Sequence, residues 1–453
     1  MLVSTLTSMS SEGTGITEAG DRGLPAWVEH GIWWHVYPLG ATGAPIRPAG
    51  PADGAPAPRL ESLVAWLDYL VDLGASGLAL GPIFEASTHG YDTTDHFRID
   101  PRLGDDAVFD RLAEACRDRG VALMLDGVLN HVGTAHPLFR TARTGGPEQR
   151  ERRLFRFDDA DDADGSSGPP GVPGSQPGYA VFEGHEGLAV LNHDSDEVAE
   201  LAVSVLSHWL GRGVSAWRLD AAYSVPPAFW ARVLPRVRSE FPDAWFVGEV
   251  IHGDYAGIIE RSSMDSLTQY ELWKAIWSSL LDENFFELDW CLNRHNGFLD
   301  VFTPLTFVGN HDVTRIASRI GDAKAALAIT ILLTVGGVPA IYYGDEQAFR
   351  GVKTDRPSGD DEVRPALPPG PEALSPLGGW LYRWHQELIG LRRRHPWLVG
   401  ARTERIALEN RLMEYDAVGT EGRRIRVRLR LEPVPRAEVE APDEPALVME
   451  HGG

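Results

Sequence analysis

The sequence predicts an α/β protein: a (β/α)8 TIM barrel with an inserted domain after strand 3 and a short C-terminal β-domain. Three observations carry that prediction. Eight short runs are apolar nearly throughout rather than alternating, as strands covered on both faces are. Segments of helical period lie between them, the order expected of parallel β/α folds. The alternation breaks in two places, one between Val128 and Asp196 and one after Arg394.

In chain order, the runs that predict strands are 32–37, 77–80, 121–126, 215–219, 245–247, 266–268, 305–308 and 339–342. Helices are predicted over 60–73, 107–119, 196–210, 227–239 and 323–334, among others. The count favours a closed barrel over an open doubly wound sheet. The uncharged stretch 325–344 imitates a membrane span in length. Gly336, Gly337 and Pro339 divide it, so a buried helix, a glycine stop and a buried strand are predicted instead.

The first break, rich in Gly, Pro, Asp and Arg, is far longer than the roughly 2–6 residues of an ordinary βα connection. It is read as a subdomain sitting over one end of the barrel. Its acidic tract from Asp158 to Gly165 has the look of a calcium loop, but Ala160 falls at the first ligand position and Gly171 at the twelfth. A solvated loop is predicted there. In the second break, helical residues 379–394 precede a hairpin-like alternation over 408–431, and roughly the last 20 residues read as a frayed Pro/Glu/Ala tail. The resulting division is 1–24 as a flexible N-terminal segment, 25–131 and 191–395 as the barrel, 132–190 as the insert, and 396–453 as the C-terminal β-domain and tail.

Composition narrows the function classes. Among 453 residues, 42 Lys and Arg face 65 Asp and Glu, a net charge of −23, so the basic footprint of a nucleic-acid binder is absent. An apolar content of 43% is too high for a disordered chain. Cys116 and Cys291 make neither a disulfide scaffold nor a metal-ligand spacing. The first 23 residues lack a basic region and a long apolar core, so no secretory signal is expected and a cytoplasmic location is. No nucleic-acid or membrane partner is expected, and the sequence leaves the oligomeric state open.

The chemistry stands at the strand ends, where β/α barrels gather their functional groups. Apolar runs end in Asp126, Asp220, Glu249 and Asp312, so far apart in sequence that only closure of the barrel would join them. Clustered carboxylates suit either a hard metal or the split acid and nucleophile roles of glycoside cleavage. Arg218, two residues before Asp220, points to the same side of its strand. Its guanidinium is expected to keep Asp220 charged, which suits a nucleophile. Glu249 has no such partner in its strand, which suits a proton donor.

These residues resemble the motifs of the α-amylase family of glycoside hydrolases, family 13. The resemblance rests on Asp126-Gly-Val-Leu-Asn130-His131, Ala216-Trp-Arg218-Leu-Asp220, Gly248-Glu249-Val250 and Phe307-Val-Gly-Asn310-His311-Asp312, in that order on the third, fourth, fifth and seventh predicted strands. His89-Gly-Tyr91-Asp92 and Tyr342-Tyr-Gly-Asp-Glu346 extend it, over about Gly31 to Arg364. It implies that the two irregular regions are the family's domain B and C-terminal β-domain. It implies Asp220 as nucleophile, Glu249 as general acid/base and Asp312 as the third carboxylate holding ring hydroxyls. It further implies Arg218, His131 and His311 around the sugar at subsite −1, with Tyr91 as a stacking platform beside Asp92. It implies a further clamp at that subsite from Asp360 and Arg364, and Asp126 and Asn130 as supports of the strand-three loop.

Several positions depart from the family pattern. Tyr223 and Ser224 stand where many starch-cleaving members carry a Lys-His pair. Asp95-His96 replaces Asp-Tyr, and Leu191-Asn192-His193 only approximates the motif at the end of domain B. Asn130 finds no convincing calcium partners in the insert, so no cofactor is counted on, no metal ligands are assigned, and calcium is left open. The expected activity is a retaining α-glycoside hydrolase acting on short α-glucosides or maltooligosaccharides through a covalent β-glycosyl intermediate. The alternative is an α-glucosyl transferase or isomerase using the same trio.

Overall fold

The computed structural model describes residues 24–48, 50, 55–146, 148–157, 178–356 and 358–450. The N-terminal 1–23 and the acidic tract from Asp158 to Gly165 lie outside the described residues. All eight predicted strands form: β1 (Trp33–Val36), β2 (Gly77–Leu80), β3 (Ala122–Gly127), β4 (Ala216–Leu219), β5 (Trp245–Gly248), β6 (Ser266–Leu267), β7 (Leu305–Phe307) and β8 (Val338–Tyr342). They join in one parallel sheet in the order β6-β5-β4-β3-β2-β1-β8-β7. Between the two ends, a single parallel bridge from Thr268 to Leu305 closes the barrel, reinforced by the Gln269 N–H donating to the Leu305 carbonyl at 2.9 Å.

Period-two alternation divides each strand between two apolar layers. Trp33, Ala79, Met124, Ala216, Trp245, Val247, Phe307 and Ala340 fill the barrel interior, where Trp33 stacks on Trp245 with centroids 6.0 Å apart. Trp34, Leu78, Leu123, Leu125, Trp217, Phe246 and Ile341 belong to the outer layer beneath the helices. Gly77 is required by the inner packing, because a Cβ there would lie 2.4 Å from the Trp33 ring. This alternation also sets the site: Asp126 follows inward-facing Met124, and Arg218 follows inward-facing Ala216.

Helices Asp196–Leu210 and Gly379–Arg394 match their predicted bounds, and Asp322–Thr334 nearly so. The predicted helix 60–73 splits into a 3-10 segment, Arg59–Trp66, and an α-helix, Leu67–Leu73, which ends on left-handed Gly74. Residues 325–344 fold as the predicted buried helix and strand, and among the described residues no helix is long and apolar enough to cross a membrane. The insert contributes a small sheet of His131–Gly133, Val181–Phe182 and His185–Val190. Phe139 packs at its base against Phe155 and Tyr179.

The tail corrects an expectation. Instead of fraying, it continues an antiparallel sheet of β9 (Arg402–Glu409), β10 (Leu412–Val418), β11 (Arg424–Arg430), β12 (Arg436–Glu440) and β13 (Leu447–Glu450). The prolines that suggested fraying stand between strands, while Ala437, Val439 and Met449 alternate inward and are buried. Its outer face carries cross-strand ion pairs of Arg426 with Asp416 and of Arg428 with Glu414 and Glu438. The Tyr415 hydroxyl meets Thr334 Oγ1 at 2.6 Å, anchoring the sheet to the barrel.

Burial pushes His131, His136, His193, His295 and His385 each down to about 4. Between that value and the ordinary 6.5, the unfolded chain binds protons that the folded chain refuses. Stability is therefore expected to be full above pH 6.5 and to fall steadily toward pH 4. A thermal midpoint that stays level over that window would show these rings are not held neutral by the fold.

Candidate active site

The site lies at the C-terminal ends of the strands and is organised by one buried cation. Arg218 Nη1 reaches Asp126 Oδ1 and Oδ2 at 2.7 and 2.6 Å and Asp220 Oδ1 at 3.4 Å. Its Nη2 lies 2.5 Å from Glu249 Oε1. Three carboxylates from three adjacent strands thus share one guanidinium, and all four side chains are buried. Burial opposes the charge on Arg218, but Asp126 and Glu249 outweigh it and hold the group cationic.

Glu249 is the best-held of the three. Besides Arg218, its Oε1 accepts from the Tyr270 hydroxyl at 3.1 Å and its Oε2 from the Ala221 N–H at 2.9 Å. Tyr270 is itself fixed by Asn310 Nδ2, which donates to its hydroxyl at 2.9 Å. Ala221, next after Asp220, adopts a left-handed backbone at φ 48° and ψ 34°, a conformation costly for a residue with a Cβ and kept where surroundings over-determine it.

The expected electrostatics are corrected here. Arg218 was expected to serve Asp220 and leave Glu249 without a partner, yet its closest approaches are to Glu249 and Asp126. Burial, reinforced by Glu249, raises Asp220 well above the ordinary carboxylate range despite Arg218. Asp126 is raised by burial as well. The reason is stoichiometric: three buried carboxylates crowd one cation.

Asp312 has the opposite environment. Burial alone would raise it, but His311 and Arg364 overcome this and hold it well below the usual range. His311 Nε2 lies 2.9 Å from its Oδ2, and Arg364 Nη2 donates to its Oδ1 at 2.9 Å. Arg364 also donates from Nε to the His311 carbonyl at 2.9 Å and from Nη2 to Asp360 at 3.2 Å. The Tyr91 hydroxyl donates to Asp126 at 3.0 Å and touches His311 Nε2, while its ring stacks on the His311 ring. Tyr37 also stacks with the His311 ring and underlies the Arg364 guanidinium.

The structure therefore gathers Asp220, Glu249, Asp312, Tyr91, Arg218, His311, Asp360 and Arg364. Two predicted residues are engaged otherwise. Asp92 spends both oxygens on Thr88, accepting from its N–H at 3.0 Å and its hydroxyl at 2.7 Å. His131 is committed through Nδ1 to Asn130 and through Nε2 to the Tyr91 carbonyl, with Phe182 of the insert stacked on its ring. Sequence reasoning missed Tyr270, the Ala221 amide and the centrality of Asp126. Tyr270 stood two residues past a predicted strand end and was open to the same strand-end rule. Among the described residues no group of three or more His, Cys, Asp or Glu is placed to hold a metal ion, and Asn130 turns its amide nitrogen to His131.

Residues 52–367 match the family described as "Alpha amylase, catalytic domain". A cyclomaltodextrinase of Geobacillus thermopakistaniensis is 29% identical over 82% of this chain, and neopullulanase 2 of Thermoactinomyces vulgaris is 30% identical over 82%. The chain spans 63% and 64% of those relatives' lengths, under two thirds in both cases. The ligand-free cyclic α-maltosyl-(1→6)-maltose hydrolase of Arthrobacter globiformis superimposes with a TM-score of 0.77 at 25% identity, covering 94% of this chain and 98% of its own. With more than half of the sequence matched, the chain belongs to the α-amylase family of glycoside hydrolases, family 13.

Proposed function

We propose that the protein is a retaining α-glycoside hydrolase acting on short α-glucosides, maltooligosaccharides or related cyclic dextrins. The observation that carries the reading is the Arg218-centred cluster, in which Asp220 has few contacts and Glu249 is held from three directions. Relatives named for cyclodextrin and maltosyl substrates support the substrate class.

The Asp220 carboxylate attacks the anomeric carbon as the glycosidic C–O bond breaks and the Glu249 carboxyl gives its proton to the departing oxygen. This leaves a β-glycosyl ester on Asp220 and a free sugar hydroxyl. Positive charge growing on the sugar stabilises ionised Asp220, which compensates for the burial that raises it. Glu249 then takes a proton from water as that water attacks, and the second inversion restores the α configuration. Asp312, held ionised, accepts hydrogen bonds from ring hydroxyls, and Arg364, Asp360 and His311 keep it in place. Tyr91 offers its ring beside the sugar.

Glucosyl transfer with the same residues is the second reading. It is favoured by one contact on the leaving-group side: Tyr223, at the position of the family's Lys-His pair, donates from its hydroxyl to Glu183 of the insert at 2.6 Å. Incubation with a panel of α-glucosides, followed by NMR of the anomeric protons, separates the two. Prompt release of α-anomer without new disaccharides is the expected result. β-Anomer as first product would overturn the retaining reading, and dominant new disaccharides would establish transfer.

A further inference from the structure

The barrel interior directly below the carboxylates is not completely filled. A cavity of about 40 Å³ lies above Trp33, lined mainly by apolar side chains such as Met124, Leu305 and Phe307, with His35, Arg218 and His311 also on its wall. At roughly 10–15 Å³ each, about three waters fit such a space.

His311 is fully buried and uses its two ring nitrogens unequally. Nε2 meets Asp312 and the Tyr91 hydroxyl, whereas Nδ1 is buried without a hydrogen-bond partner among the described residues. Buried polar atoms are nearly always satisfied by protein or by ordered water, and the cavity that His311 lines is large enough for the latter. His35, from β1, faces the same space. Its ring meets that of His311 edge to face, with centroids 5.3 Å apart and planes at 87°, and no direct hydrogen bond joins them.

We propose that an ordered water in this cavity bridges His35 to Nδ1 of His311, making His35 a positioning residue for Asp312. The chemistry of the two rings fits. Burial first, then His311 and Arg218, keep His35 neutral, so it carries one N–H and one lone pair. A water between two such rings donates to a bare Nδ1 or accepts from a protonated one. It therefore satisfies His311 whichever form the Asp312 contact demands. The charged groups facing His35 are His311, Arg218, Asp312 and Arg315, with the Tyr342 ring packed beside it. The proposal rests on the reading of Asp312 as the carboxylate that grips the sugar.

The test compares full-length His35→Leu and His35→Gln by 15N NMR of histidine-labelled protein, alongside kcat, KM and the thermal midpoint. Leucine removes the bridge, whereas glutamine keeps a donor and an acceptor facing the cavity. In His35→Leu the His311 Nδ1 resonance is expected to move toward that of an unbonded ring, and kcat to fall about 10–100-fold. KM and the midpoint are expected to change little. In His35→Gln both the resonance and kcat are expected to stay near those of the unaltered protein. An unchanged His311 resonance in His35→Leu would overturn the proposal, as would equal losses in both variants. Activity retained in Asp220→Asn would overturn the functional reading instead, and the NMR comparison would still decide the bridge.

Discussion

In the Asp220→Asn variant, kcat on a maltooligosaccharide is expected to fall on the order of 10⁴–10⁶-fold, as it does when one member of a mutually dependent catalytic set is removed. The change is close to isosteric, and the amide neither attacks the anomeric carbon nor leaves as a carboxylate. The fold is expected to survive it. Asp220 makes one side-chain hydrogen bond, to Arg218 at 3.4 Å, and its charged form is disfavoured by burial and by Glu249. Removing that charge relieves the cluster, so the thermal midpoint is expected to hold or rise. A midpoint that rises while activity vanishes is the pattern of a residue kept for chemistry at the expense of stability. Activity within tenfold of the unaltered protein would remove Asp220 from the nucleophile's role.

Arg218→Met tests the opposite contribution. The arginine is the one cation on Asp126 and the cation shared by Asp220 and Glu249. Deleting one partner of a buried ion pair leaves uncompensated charge and costs about 3–5 kcal/mol of stability. The loss is expected to depend on pH in a definite direction. Asp126 and Asp220 are already raised by burial with Arg218 present, and without it they rise further. The folded variant then binds more protons than the folded parent, so the deficit caused by the bare carboxylates shrinks as the pH falls. Urea midpoints should show a larger deficit at pH 7 than at pH 5. Equal deficits at the two values would mean that Arg218 stabilises by packing alone.

The strands were legible because a barrel strand buried on both faces has to be apolar along its length, and these runs are. Helices with a single buried stripe were legible for the related reason of period, as Asp196–Leu210 shows. What sequence could not carry was partner choice. Arg218 and Asp220 share a strand face, which suggested a pair, but the neighbouring strands bring Asp126 and Glu249 closer to the guanidinium. Nothing local marks Ala221 for a left-handed backbone, since glycine is the residue that advertises one. Tyr223 and Glu183 lie 40 positions apart and meet only after the insert has folded. In the tail, prolines between strands masked an alternation of Ala437, Val439 and Ala441 that was present all along.

The way the barrel closes bears on its chemistry. Seven of its eight seams are continuous ladders, and the eighth is held by Thr268 and Gln269 against Leu305. A hoop fastened this way yields first at its clasp, because the fewest backbone bonds must be broken there. Gln269 adjoins Tyr270, the phenol that holds Glu249, and Thr268 Oγ1 accepts from the amide of Val250, next to Glu249 itself. The clasp of the barrel and the mount of Glu249 are thus the same few residues. Mechanical compliance is placed beside the Glu249 carboxylate.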